Sequence, residues 1–413
     1  MAPRCCSWSC LFVTFSVIVA ALGILIAYLQ QGNLDLVSLL VAHGTKLVIR
    51  DVYPPASDLH DLSSFRKMFV RLVQQGACSN DPMLCEVEIP FIDNTNASLL
   101  PIFTIKVKEE HRNTNANQRF SRIFDSHIVA EKHDHPIDIR IYEPVRKVSE
   151  VLGVTLWFHG GGFVIGTHLD DFKCTLLANI TNTVVISVNY ALAPEKPYPH
   201  GRVDCELTLA WLESFTAAST SASASSSPSS MFDHIDVDLS NVYLIGESAG
   251  GHHAAACIMN YNGSFKANVK GLVLIYPEID HTEELTESES NLSHFNGFFT
   301  TLQNSWFWRL YLGRDKKEHE LYEIAQNDPL INLLNANEDM LTSVKHMKVL
   351  IILAKHDILY SEGVAFAEML RSRGGEEMNV ETKIYEAIHG FWGEFTFPST
   401  KHSLEAIRNF YEQ

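Results

Sequence analysis

Positive charge is scarce in this chain. Its 413 residues carry 32 lysines and arginines against 49 aspartates and glutamates, a formal net charge of −17 with histidine neutral, and no basic run. A protein that neutralises a phosphate backbone needs clustered Lys and Arg, so nucleic-acid binding has no electrostatic footing here. The sequence also lacks G-x-G-x-x-G and G-K-[ST], the signatures of two common phosphate-cradling glycine loops. Cysteine is sparse: Cys5, Cys6 and Cys10 near the start, then Cys78, Cys85, Cys174, Cys205 and Cys257. The later five are an odd number, so at least one stays unpaired within the chain. Cys78 and Cys85 are near enough in sequence to form a candidate bridge. Nothing in the sequence calls for a metal or an organic cofactor.

Long apolar runs are absent too, with one exception. Leu11 to Leu29 is 19 residues without a charge, which at about 1.5 Å per residue nearly spans a hydrocarbon core of ~30 Å. A cleaved signal peptide has an apolar core of about 7–15 residues and a small-residue cleavage site. This run is longer and no good A-x-A site follows, so it reads as an uncleaved transmembrane signal anchor. Arg4 precedes it and Asp35 follows, an asymmetry that places residues 1–10 as a short cytosolic tail and the rest in the lumen, a single-pass type II arrangement. Cys5, Cys6 and Cys10 then lie on the cytosolic side, as palmitoylation sites or as free thiols. Asn96, Asn179, Asn262 and Asn291 head N-x-[ST] triplets, which are glycosylation candidates in a lumenal protein.

What the sequence does have is a sharp bend. Val242 to Ile245 reads as a buried strand, and from Ala249 the pattern turns Ala-rich and helical. Between them stands Gly246-Glu247-Ser248-Ala249-Gly250. Glycines two before and two after the serine remove side chains that would clash in so tight an elbow. A serine hydroxyl is a poor nucleophile unless a base takes its proton and an acid orients that base. Downstream, Asp357 follows the apolar strand Val349 to Ala354, and His389 stands before Gly390 after the strand Thr382 to Tyr385. Glu362 is an alternative acid. Upstream, Thr155 to Phe158 reads as a strand that runs straight into His159-Gly160-Gly161-Gly162. Such a loop can turn its N–H groups toward a developing oxyanion, with the Ala249 N–H beside them. His159 and Gly160 are read as loop-shaping.

These motifs, with "VVISVNYALAPEKPYP" over Val184 to Pro199, resemble the hormone-sensitive-lipase-like group of α/β-hydrolases, and within it the arylacetamide deacetylase and neutral cholesterol ester hydrolase branch. The resemblance covers roughly Ile137 to Glu412. It implies a Ser248, Asp357, His389 triad, an oxyanion hole of Gly161, Gly162 and Ala249, and an endoplasmic-reticulum membrane location. Ala191 stands where the group usually has arginine, so any ion pair made there is absent or moved. Glu247 replaces the more common aspartate of the elbow.

The expected fold is α/β: a mainly parallel sheet with helices on both faces, to which the resemblance adds an antiparallel first strand pair and a helical cap. The expected division is 11–29 anchor, 30–125 first cap segment, 126–277 and 328–413 hydrolase core, and 278–327 second cap segment. The second cap segment is rich in aromatics: Phe298, Phe299, Trp306, Phe307, Trp308 and Tyr311. The stretch Ser214 to Phe232 is Ser/Ala-rich low-complexity sequence, expected to form a surface loop. The expected function is hydrolysis of a carboxylic ester, lipid or aryl, by a serine esterase or lipase. The alternatives are an arylacetamide-type deacetylase or amidase, or a ligand-binding homologue without chemistry.

Overall fold

The computed structural model describes residues 86–87, 105–106, 118–119, 122–130, 133–147, 151–218, 237–264, 268–282, 285–292, 299–313, 315–375, 378–393 and 398–413. The expected tail and anchor, Cys78, Cys85, Asn96, Phe298 and most of the Ser/Ala-rich stretch lie outside them. Among the described residues no helix is long and apolar enough to cross a membrane.

Eight strands form the central sheet: β1 Arg122–Ile128, β2 Ile137–Glu143, β3 Leu152–Phe158, β4 Thr183–Val188, β5 Val237–Glu247, β6 Val269–Ile275, β7 Lys348–Ala354 and β8 Asn379–Tyr385. Their order is β1-β2-β4-β3-β5-β6-β7-β8. β2 runs antiparallel to both its neighbours, β1 and β4, and the remaining pairs are parallel. The helices are α1 Asp171–Thr181, α2 His200–Ala218, α3 Ala249–Asn260, α4 Glu287–Leu292, α5 Thr301–Leu312, α6 Glu318–Asn327, α7 Glu338–Val344, α8 Tyr360–Gly374 and α9 Pro398–Glu412.

The central strands are apolar at nearly every position because both sheet faces are covered. Val154, Leu156 and Phe158 of β3, Val242 and Leu244 of β5, Leu272 and Leu274 of β6, and Val349, Ile351 and Leu353 of β7 share one core with residues of α2, α3, α7 and α8. The alternate residues Trp157, Tyr243, Ile245, Val273, Ile275, Leu350 and Ile352 share the other with residues of α1 and α9. Each fully buried side chain of this size contributes about 1.5–3 kcal/mol. A one-residue register slip would exchange the two faces, so packing fixes the register.

The edge strands β1 and β8 are the exceptions. β8 is half-buried or exposed throughout. In β1 exposed and half-buried residues alternate, with Ile123 41% exposed, as befits a sheet edge. It starts ahead of residue 126, where the sequence puts the beginning of the core. β5 likewise starts before the expected Val242, through Val237 to Asn241, which are half-buried except for the exposed Ser240.

Between β6 and β7 the chain inserts α4 to α7. Helix α5 begins on a capping box: Thr300 accepts from the Gln303 amide, and the Gln303 side chain accepts from the Thr300 amide. Its Phe307, Trp308, Leu310 and Tyr311 join Phe163, Val164, Ile165 and Ala249 in a third core, above the carboxyl ends of the strands.

Candidate active site

Strand register sets the site. Phe158, the last residue of β3, is level with Gly246 of β5, Leu274 of β6 is level with the same glycine, and Ile275 is level with Ile352 of β7. The loops after β3, β5, β7 and β8 therefore leave one edge of the sheet side by side, where open α/β sheets carry ligands.

At the β5–α3 elbow, Ser248 has φ 55° and ψ −123°, a region sparsely populated by side-chain-bearing residues and costing about 1–3 kcal/mol. The surroundings hold it there: its amide donates to Ile275 O at 2.9 Å, and its carbonyl accepts from the amides of Gly251 and Glu278. A Cβ on Gly246 would stand 2.1 Å from Gly250 O, and one on Gly250 would stand 2.1 Å from Phe158 O. Both glycines are sterically obligatory.

His389 Nε2 lies 3.0 Å from Ser248 Oγ, and His389 Nδ1 lies 2.7 Å from Asp357 Oδ2. The other Asp357 oxygen accepts from the Leu359 amide at 3.0 Å. Ser248, Asp357 and His389 are all buried. Glu362 takes no part in this chain of bonds; its carboxylate accepts from the Ile279 amide at 2.7 Å. His356, beside Asp357, faces Glu386 instead, at 2.9 Å.

The glycine loop lies against the elbow. A Cβ on Gly160 would come within 3.3 Å of Ser248 Cβ. Gly161 and Gly162 have φ of 128° and 58°, and Gly161 O accepts from the amides of Val164 and Ile165. His159 shapes the loop: its Nδ1 lies 2.8 Å from Gly160 O and its ring stacks on Tyr190. Tyr190 in turn donates to His159 O at 2.6 Å. Burial lowers the His159 pKa to about 4, so the ring is neutral and carries no charge into the site.

Several residues around the site lie outside the triad and glycine-loop motifs; Phe299 and Phe307 come from the aromatic cap segment, and Phe163, Tyr276 and Lys173 have no sequence signature. Phe163 keeps the left-handed turn going at φ 64°, held by stacking on Tyr311 with ring centres 4.0 Å apart. Phe307 lies against Gly162, whose Cβ would fall 2.4 Å from that ring. Phe299 and Tyr276 flank His389, with ring centres 4.6 and 4.8 Å away. Lys173 pairs with Glu247 at 2.7 Å, which gives the elbow's acid a partner. Burial opposes the Lys173 charge, but Glu247 and Asp170 hold its pKa above the ordinary value. Ala191 makes no ion pair; its amide donates to the buried Asp204 at 2.7 Å. Of the sequons, Asn262 and Asn291 are exposed. Asn179 is exposed on α1, but its amide nitrogen donates to Thr175 O and its amide oxygen accepts from the Val145 amide. Cys174, Cys205 and Cys257 are buried free thiols.

The chain is similar to several known proteins. The arylacetamide deacetylase of Mus musculus is 26% identical over 338 residues, 70% of this chain and 79% of the relative. The gibberellin receptor GID1A of Arabidopsis thaliana is 28% identical over 278 residues, 66% of this chain and 71% of the relative. Among solved structures, the hyperthermophilic esterase of the archaeon Pyrobaculum calidifontis superposes with a TM-score of 0.65 at 22% identity, covering 90% of this chain and 97% of the esterase. An esterase of Rhizomucor miehei gives 0.57 at 25% identity, over 71% and 83%. The alpha/beta hydrolase fold family matches residues 155–393, a span running from the strand under the glycine loop past the histidine that faces Ser248, and the chain belongs to that family, on its hormone-sensitive-lipase-like side.

Proposed function

We infer that the protein is a carboxylic ester hydrolase that works through Ser248 as nucleophile, His389 as base and Asp357 as orienting acid. The hydrogen-bonded chain from Ser248 Oγ through His389 to Asp357, on a strained elbow, carries the reading. Ser248 Oγ attacks the ester carbonyl as His389 Nε2 takes its proton. Asp357 keeps the imidazole in the tautomer with hydrogen on Nδ1 and stabilises the imidazolium. The N–H groups of Gly161, Gly162 and Ala249 hold the oxyanion, and each such donor contributes about 3–4 kcal/mol in the transition state. The imidazolium then protonates the leaving alcohol. Water, deprotonated by the same histidine, attacks the acyl-enzyme and releases the acid.

Phe299, Phe307 and Trp306 suit an apolar acyl or alcohol group of the lipid or aryl type, and they exclude water from the charges that develop. Residues 11–29 anchor the enzyme in the endoplasmic-reticulum membrane with its catalytic part in the lumen, and Asn262 and Asn291 are exposed sequons there.

A second reading, deacetylation of arylamides, draws on the similarity to the deacetylase; kcat/KM on a matched ester and anilide pair decides it. The gibberellin receptors among the relatives keep a ligand-binding reading in view, and the hydrogen-bonded serine and histidine favour chemistry over it.

The test is labelling by a fluorophosphonate probe in microsomes. Native wild type labels, while heat-denatured wild type and Ser248→Ala do not. Folded wild type that neither labels nor hydrolyses a short-chain aryl ester overturns the enzyme reading.

A further inference from the structure

Asp204 on α2 is fully buried, yet no lysine or arginine among the described residues pairs with it. Two imidazoles from the segment between β1 and β2 face it instead. His133 Nε2 lies 2.6 Å from Asp204 Oδ1, and His135 Nε2 lies 3.1 Å from Asp204 Oδ2. The first contact is off the direction a hydrogen bond requires, and both His133 Nε2 and Asp204 Oδ1 are buried without a hydrogen-bond partner. A buried carboxylate oxygen and an imidazole nitrogen this close, neither with a hydrogen-bond partner, are relieved by a cation that both can bind.

We propose that His133, His135 and Asp204 form a zinc site. The donor atoms lie within 4.8 Å of one another. Two imidazoles and a carboxylate suit zinc. Ligand atoms of a tetrahedral zinc stand about 3.3 Å apart at bond lengths of about 2.0–2.1 Å, so from its present 2.6 Å His133 needs to withdraw by about 0.7 Å and from 3.1 Å His135 by about 0.2 Å. His135 Nδ1 lies 2.6 Å from Asp134 Oδ1. An Nδ1–H donated to that carboxylate would leave Nε2 free to ligate, the usual arrangement around metal-bound histidine. Lys196 Nζ touches the same Nδ1 at 2.9 Å and donates to Asp134 Oδ2 at 2.7 Å. Asp134, Asp138 and the histidines line an open pocket of about 430 Å³, which gives the fourth coordination position to water. Among the described groups, the carboxylates of Asp134, Asp138 and Asp204 set against Lys196 leave two negative charges for a dication to neutralise.

The site is structural. It ties the β1–β2 segment to Asp204, which holds the Ala191 amide. Ala191 follows Tyr190, and Tyr190 supports His159 and with it the glycine loop.

The test uses the full chain in detergent, purified on a histidine-free tag, stripped with a chelator, and titrated with zinc against a chromophoric chelator. Wild type binds one equivalent, and zinc raises its thermal midpoint by about 5 °C. His133→Gln, His135→Gln and the double variant bind at least about 100-fold more weakly and lose the rise, while their zinc-free midpoints stay near wild type. The single variants keep the readout should the double variant misfold. Binding in Ser248→Ala is unchanged, so the result is independent of the hydrolase reading. Wild type that takes up no zinc, or a double variant that binds zinc as tightly as wild type, overturns the proposal.

Discussion

Asp357 is expected to be silent for folding and decisive for the proposed chemistry. Its Oδ1 accepts from the Leu359 amide and its Oδ2 faces His389 Nδ1. Asparagine fits the same space but favours the wrong imidazole tautomer. Asp357→Asn is expected to lower kcat on an aryl ester by about 10⁴-fold with little change in the urea-denaturation midpoint. Gly250 is the opposite case. A Cβ there meets Phe158 O at 2.1 Å and His159 O at 2.4 Å, backbone atoms that cannot rotate away. Gly250→Ala should destabilise by about 3 kcal/mol or more, seen as a lower urea midpoint.

This contrast also explains which residues were readable from the sequence. The glycines around Ser248 and the H-G-G-G loop are local steric necessities, so they stand out as motifs. Asp357 and His389 could be marked because each follows a readable strand. Phe163, Tyr276 and Lys173 act through neighbours distant in the chain, and nothing in their own segments announces it.

At the level of elements, strands buried on both faces were legible because their alternate residues are all apolar. β1 and the start of β5 were not, since their half-exposed positions carry ordinary polar residues such as Asp125, Ser126 and Asp238.

The junction between the β6 end and α5 makes a further prediction. Glu278 follows β6 closely and accepts from Trp308 Nε1 of α5 at 2.6 Å. Burial raises its pKa to about 8 against a usual 4.5, so the folded protein keeps a proton that the unfolded chain has released. Stability from this group is therefore fully present below about pH 4.5 and is lost as pH rises through about 8. His281, stacked on the same indole, is pushed by burial to about 4. Its neutral form favours the fold above pH 6.5, and that contribution is lost as pH falls toward 4. Thermal midpoints of wild type and Glu278→Gln from pH 5 to 8 test the first slope: wild type declines relative to the variant as pH rises. Parallel curves would remove Glu278 as the cause.

For the whole molecule, the proposed topology makes its own prediction. The full chain should stay with the membrane pellet after alkaline extraction, and deletion of residues 1–30 should release it. Asn262→Gln and Asn291→Gln should each increase gel mobility by one glycan, a difference abolished by glycosidase. A full chain extracted by alkali would reject the anchor, and unchanged mobility would reject glycosylation at those sites.

The insertion between β6 and β7 has a consequence for how such an enzyme can diversify. Ser248, His389, Asp357 and the glycine loop all stand at strand ends of the sheet. The cap lends rings: Phe299 beside His389, Phe307 over Gly162, Tyr311 under Phe163. On the proposed mechanism, reactivity and selectivity are thus written in separate stretches of chain. Side chains on α5 can be exchanged to admit a longer or broader acyl group without moving an atom that bonds to the reacting carbonyl.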